Sequence, residues 1–131
     1  MRVHRLGLLG LILALGATPA VAADFDGSRP LTCATTQALD CVAGDECVDG
    51  EAADVGAPVF MHIDFEKKAV IGAKRTTPIL LMTDQTEQVL LQGHELGFGW
   101  TIAVSKTTGE MSASLVDRNG AYVLFGSCTT R

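Results

Sequence analysis

Two histidines and two carboxylates are the residues of this sequence best suited to holding a metal ion. His62 and Asp64 are two positions apart, so on a β-strand they would point to the same side. His94 is followed directly by Glu95, but the second histidine that a metalloprotease helix needs four residues later is absent. We interpret these as unrelated surface residues, and the sequence predicts no metal ion and no other cofactor.

An acidic segment offers a second set of oxygen ligands. Asp45, Asp49 and Gly50 match the first, fifth and sixth positions of an EF-hand calcium loop. The third position would be Cys47 and the twelfth Gly56, and neither supplies a carboxylate. The segment is therefore expected to be a solvated acidic loop.

No arrangement typical of nucleophilic catalysis occurs in the chain. There is no Gly-x-Ser-x-Gly motif, and Ser127 has no histidine near it in sequence. Phosphate-binding and dinucleotide-binding motifs are absent as well. We predict that the protein is not an enzyme and has no catalytic residues.

The four cysteines are Cys33, Cys41, Cys47 and Cys128. An even number in a small exported domain predicts two disulfides, with three pairings open. The favoured pairing joins Cys41 to Cys47 as a local clip and Cys33 to Cys128 across the domain. In the chain-entropy model the longer loop stabilises by up to about 4–5 kcal/mol. A zinc site is the alternative, but the spacing matches no zinc motif.

Residues 1–23 have the features of a cleaved signal peptide. Arg2 and Arg5 precede an apolar run at residues 6–15, and small residues at 20–23 suit cleavage after Ala22 or Ala23. The run is shorter than the roughly 20 residues of a membrane span. We expect residues 24–131 to be a single domain in the periplasm or secreted, without a membrane span.

The charge of the mature chain lies in its first part. Removing Arg2 and Arg5 leaves 8 basic residues against 15 acidic ones, a net of −7. Residues 24–54 hold eight acids and one base, which accounts for that excess. Nucleic acid and anionic lipid call for a basic surface, so both are excluded as expected partners.

Residues 98–128 contain three alternating segments joined by two turns. Phe98, Trp100, Ile102 and Val104 form one apolar face of the first segment. Glycines at 109 and 120 mark the turns of two hairpins. The apolar stripe either faces a ligand or fills the core of a small barrel, and low aromatic content favours the core.

The remainder predicts one short N-terminal helix followed by further strands. Residues 30–42 carry apolar residues at helical spacing, with Ser28 as a cap and Pro30 in the first turn. From residue 58 the period changes to two. The expected fold is mainly β, a small antiparallel meander of about seven strands closed as a barrel or folded as a sandwich.

The ends of the mature chain carry a resemblance to known proteins. Asp24-Phe25-Asp26-Gly27 at the start and Phe125-Gly126-Ser127-Cys128 at the end resemble an uncharacterised family of small secreted proteobacterial proteins with a lipocalin-like barrel outline. The chain is also similar to the periplasmic inhibitors of C-type lysozyme, but their Tyr-x-Cys strand is missing because Tyr122 lies six residues before Cys128.

These observations predict a non-enzymatic protein-interaction module whose partner is another envelope protein. The alternatives are a lipocalin-like carrier of a small apolar ligand and a lysozyme-inhibitor-like protein. The resemblance implies no known chemistry, so the sequence leaves the choice among them open.

Overall fold

The computed structural model describes residues 25–130, which form one curled antiparallel β-sheet. The predicted signal peptide and Asp24 lie outside the described residues. Ten strands and a single-turn 3₁₀ helix, Ala52–Val55, make up the regular structure of this part. The strands are β1 (Leu31–Val42), β2 (Val48–Gly50), β3 (Phe60–Asp64), β4 (Ala69–Gly72), β5 (Thr76–Pro78), β6 (Leu81–Asp84), β7 (Gln88–Glu95), β8 (Phe98–Ser105), β9 (Glu110–Val116) and β10 (Gly120–Thr130).

The sheet forms a half-barrel around an apolar interior. Its strand order is β5-β4-β3-β1-β10-β9-β8-β7-β6, and β2 pairs with β1 beyond the end of β3. Every neighbouring pair is antiparallel. The prediction of a mainly β, antiparallel fold is confirmed, with ten strands where about seven were expected. Within the described residues, no helix is long and apolar enough to cross a membrane.

The two edge strands of this order, β5 and β6, are consecutive in sequence. The N–H of Ile79 donates to the carbonyl of Lys68 at 2.8 Å and extends the pairing of β4 with β5. The N–H of Leu80 donates to the carbonyl of Gln92 at 2.9 Å and extends the pairing of β6 with β7. The chain therefore crosses from one edge of the sheet to the other within residues 78–80, a segment called the seam below, and β5 contacts β7.

The predicted helix over residues 30–42 is wrong, because this segment is strand β1. Leu31, Cys33 and Thr35 are buried and follow a period of two. A bulge directly after Thr35 shifts the register by one residue, so Ala38 is also buried. Buried residues thus recur at a spacing that imitates a helix, although the backbone is extended.

Strands β8, β9 and β10 confirm the three segments predicted from residues 98–128. The first turn places Gly109 at a φ of 73° and leaves no room for a side chain, since a Cβ there would lie 2.7 Å from the carbonyl oxygen of Cys128. In the second turn the Asp117 carboxylate accepts the backbone N–H groups of Asn119 at 2.7 Å and Gly120 at 3.1 Å. Short local turns therefore fix the register of the strands that carry much of the core.

Candidate ligand-binding cavity

A cavity of about 390 Å³ opens at one end of the half-barrel. Its mouth is formed by residues 56–60 ahead of β3, the turn between β4 and β5, and the end of β7. Small-molecule sites in proteins have volumes of about 300–1,000 Å³ and mainly apolar walls. The inner wall consists of apolar side chains from five strands: Met61, Val70, Trp100, Ile102, Ala113, Leu115 and Leu124.

The cavity exists because small residues occur among larger ones on the inner face. Ala113 of β9 lies between its register partners Ile102 of β8 and Leu124 of β10. Gly72 of β4 is the partner of Met61 on β3. A core fills its space when large and small side chains are complementary across facing positions, and here the small residues leave volume at one end.

Gly93 determines where the largest side chain of the wall lies. It is the register partner of Trp100 in the β7–β8 hairpin, and the indole ring lies against it. A Cβ on Gly93 would overlap Cζ2 of Trp100 and lie 2.7 Å from Cε2, and it would also lie 2.8 Å from the carbonyl oxygen of Pro78. The ring is therefore held between β7 and the seam.

Two residues of the lining each have a polar side-chain atom that is buried away from solvent without a hydrogen-bond partner among the described residues. These atoms are Nε1 of Trp100 and Oγ1 of Thr77, and both residues line the cavity. Trp100 is only 7% exposed. An unsatisfied buried donor costs about 1–3 kcal/mol, so such groups are rare in native proteins.

Charged side chains lie at the mouth and not on the inner wall. Arg75, in the turn between β4 and β5, places Nε 3.4 Å from Oε1 of Glu95 at the end of β7. Their side chains are 50% and 29% exposed, and such a solvent-exposed ion pair contributes little to stability. Lys74 and Phe60 are exposed beside them. The ion pair spans the mouth from one side of the seam to the other.

Three residues of the apolar stripe predicted on β8, Trp100, Ile102 and Val104, belong to the buried core, and the choice between core and ligand contact stays a prediction. Trp100 and Ile102 line the cavity, while Val104 is fully buried in the core. Phe98 packs on Tyr122 with ring centroids 5.8 Å apart.

The structure contains the two disulfides of the favoured pairing. Cys33 and Cys128 face each other in register on β1 and β10, and Cys41 bonds to Cys47 six residues later. They are called the long-range and the local disulfide below. No free cysteine remains, and two disulfides are compatible with an oxidising compartment such as the periplasm or the extracellular space.

The candidate metal ligands do not form a cluster. His62 Nδ1 lies 3.0 Å from the hydroxyl of Thr32 on the neighbouring strand, Glu95 pairs with Arg75, and His94 is exposed. No group of three or more histidine, cysteine or carboxylate side chains in the described part of the chain could hold a metal ion. Of the EF-hand-like residues, those at 45–47 lie in an exposed loop, and those at 48–50 form the short strand β2.

Among the described residues, Asp26, Asp64 and Asp117 have a lowered pKa, and each carboxylate accepts hydrogen bonds within a turn outside the cavity. The backbone N–H of Lys67 lowers the pKa of Asp64, and that of Asn119 lowers the pKa of Asp117. Hydrogen bonds from the side chain and backbone of Ser28 lower the pKa of Asp26. These shifts belong to turn formation and not to a reactive site.

Sequence reasoning missed three residues of the site. Gly93 and Thr77 were not identified from the sequence, and Glu95 was considered only as a metal ligand, whereas β7 extends through both Gly93 and Glu95. A signal was present, because a two-residue turn at residues 96–97 makes Gly93 the partner of Trp100. The contact of β5 with β7 has no comparable local signal.

No family model, no curated protein and no solved structure matches this chain. The resemblance to small secreted proteobacterial proteins therefore stays a prediction.

Proposed function

We propose that the protein is an exported, non-catalytic carrier that holds one small, mainly apolar molecule in the cavity. The observation that carries this proposal is the cavity of about 390 Å³ with its apolar inner wall. Burying apolar surface there contributes about 25 cal/mol for each Å² removed from water. A space of this size therefore favours an apolar occupant over water.

The chemistry of the lining supports binding over catalysis. The ionisable groups among the described lining residues are Lys74, Arg75 and Glu95, all at the mouth. Arg75 and Glu95 are paired with each other. Acid–base catalysis needs a titratable group within hydrogen-bond reach of the reacting atoms, and the inner wall offers none. The two disulfides support export to an oxidising compartment.

A substitution that fills the cavity tests the proposal directly. Ala113→Leu places three more carbon atoms in the wall at a position that is 5% exposed. Ala103→Leu makes the same change on the outer face of the neighbouring strand and is the matched control. We expect non-aromatic apolar compounds to alter the fluorescence of Trp100 saturably in the wild type and in the control. The Ala113→Leu variant should bind about tenfold more weakly, which corresponds to about 1.4 kcal/mol. Equal affinity in both variants, or no saturable binding to the wild type, contradicts the proposal.

The protein-interaction module predicted from the sequence is a second candidate, and edge strand β6 favours it. Within the described residues β6 has no paired strand on its outer side, and Leu81 and Met82 are 55% and 49% exposed. An extended segment of another envelope protein would add there as a further strand. Leu81→Lys should then abolish capture of that protein from an envelope extract and leave the fluorescence titration unchanged.

A further inference from the structure

The two disulfides of the chain differ in their exposure to solvent. Cys33 and Cys128 are 0% and 4% exposed and belong to the core. Cys41 is half-buried and Cys47 is exposed. Exchange requires a thiolate to reach one of the two sulfur atoms, and exposed disulfides are therefore the labile ones. Of the two, the local disulfide is the one expected to react with a reductant.

The local disulfide continues the pairing of β1 with β2. The last ladder pair printed on these strands joins Asp40 to Val48, and the next position in the same register joins Cys41 to Cys47. Strand β2 is three residues long and, among the described strands, pairs with β1 alone. Val48 is 68% exposed, so little apolar burial holds β2 in place. The disulfide is therefore a main attachment of this strand.

The chain that follows β2 forms one side of the cavity mouth. Residues 51–58, called the lip below, contain the 3₁₀ helix. Their far end is attached to β1, because the Thr35 hydroxyl donates to the carbonyl of Pro58 at 3.1 Å. Their near end continues directly from β2. Four residues of the lip line the cavity: Ala53, Gly56, Ala57 and Pro58.

We propose that the local disulfide is a site of reversible thiol–disulfide exchange with a dithiol reductant, and that its reduction loosens the lip. A thiolate of the reductant attacks one sulfur of the Cys41–Cys47 bond, which breaks and leaves a mixed disulfide. The second thiol of the reductant then displaces the protein sulfur. The protein gains two electrons and two protons as two thiols, and the reductant leaves as its own disulfide. The consequence for binding rests on the proposed carrier function.

Reduction at this site should leave the rest of the half-barrel folded. The local disulfide closes a sequence separation of 6, against 95 for the long-range one, and a short loop contributes less to global stability. β1 also keeps its long ladder with β10. Local opening of a weakly held segment is possible without global unfolding, so the change is confined to β2 and the lip.

The first test is graded reduction of the native protein with dithiothreitol, followed by alkylation of the free thiols and peptide mass spectrometry. We expect Cys41 and Cys47 to be alkylated at about tenfold lower reductant concentration than Cys33 and Cys128, as their exposure predicts. Trp100 fluorescence should be unchanged at that concentration, because the core stays packed.

The second test measures the lip and the cavity after this selective reduction. Amide hydrogen exchange at residues 48–58 should accelerate about tenfold or more, while exchange in β8, β9 and β10 stays the same. The apolar compounds of the fluorescence titration should bind about fivefold more weakly, and oxidised dithiothreitol should restore the affinity. The double variant Cys41→Ser, Cys47→Ser should reproduce the reduced state and should not respond to the reductant, which makes it the control for effects of the reductant elsewhere.

The outcomes separate this inference from the function on which it rests. Joint reduction of both disulfides, or unchanged exchange at residues 48–58, overturns the inference and leaves the carrier standing. It is also overturned if the wild type binds the apolar compounds with the same affinity before and after selective reduction. If the wild type binds none of them, the proposed function fails and the binding part of the inference fails with it. Selective reduction and faster exchange of the lip would then still support the exchange site.

Discussion

A Gly93→Ala substitution places a methyl group where the indole of Trp100 already lies. The added Cβ would be 2.7 Å from Cε2 of the ring and 2.8 Å from the carbonyl oxygen of Pro78. The second contact is with backbone, so rotating the ring cannot relieve both. Overpacking of this kind costs about 1–3 kcal/mol. The better strand propensity of alanine offsets about 0.5–1 kcal/mol, so the middle of each range gives a net loss of about 1.25 kcal/mol.

Gly99→Ala is the matched control for this prediction. Gly99 lies in β8 of the same hairpin, and a Cβ there meets nothing within 4 Å, so this variant should be at least as stable as the wild type. Urea unfolding with both disulfides intact, followed by Trp100 fluorescence, measures the difference. With a denaturant dependence of about 2 kcal/mol/M, the midpoint of Gly93→Ala should fall by roughly 0.6 M. Equal midpoints for the two variants would refute the packing described for Trp100.

Three further variants have defined expectations. Leu96 has a φ of 50° in the β7–β8 turn, where L-residues other than Asn and Asp are strained, so Leu96→Asn should raise the free energy of unfolding by about 0.5–1 kcal/mol in urea unfolding; no gain would contradict strain at that residue. The long-range disulfide closes a sequence separation of 95 and the local one of 6. Replacing Cys33 and Cys128 by serine should therefore cost about 4–5 kcal/mol in the chain-entropy model, and more than the loss of the local disulfide, in a thermal unfolding comparison. The pKa of Asp117 is lowered chiefly by the N–H of Asn119, so its carboxylate stabilises the fold above the unfolded pKa, and that contribution is lost as the pH falls through the folded pKa. Asp117→Asn should flatten the fall in stability between about pH 5 and pH 2, and an unchanged slope would argue against the turn hydrogen bonds.

The parts of the fold that depend on local patterns could be predicted from the sequence. Alternation and turn residues were sufficient for β8, β9 and β10, because consecutive hairpins place neighbours in sequence next to each other. The disulfide pairing was favoured on loop length alone. Strand β1 was misassigned because a bulge interrupts its period-two alternation. The bulge depends on pairing with a distant strand and has no local signal.

The cavity could not be predicted from the sequence for a related reason. The alternation of β8 identified Trp100 as facing inward, but nothing in its own strand showed that its N–H would lack a partner. That depends on the strands that pack around the ring once the sheet has curled, among them β7, whose Gly93 lies against it. The ion pair of Arg75 with Glu95 likewise joins residues that no local pattern connects.

The two sides of the half-barrel differ in how many bonds hold them together. Opposite the seam, β1 and β10 are joined by a long ladder and by the long-range disulfide, so that side is the more strongly cross-linked. At the seam, β5 and β7 touch without a ladder of their own, and an exposed ion pair crosses the gap. If the sheet expands, we therefore expect β5 and β7 to separate first. For the proposed carrier, we expect the upper limit on ligand size to depend on how far β5 and β7 can separate, beyond the cavity volume of about 390 Å³.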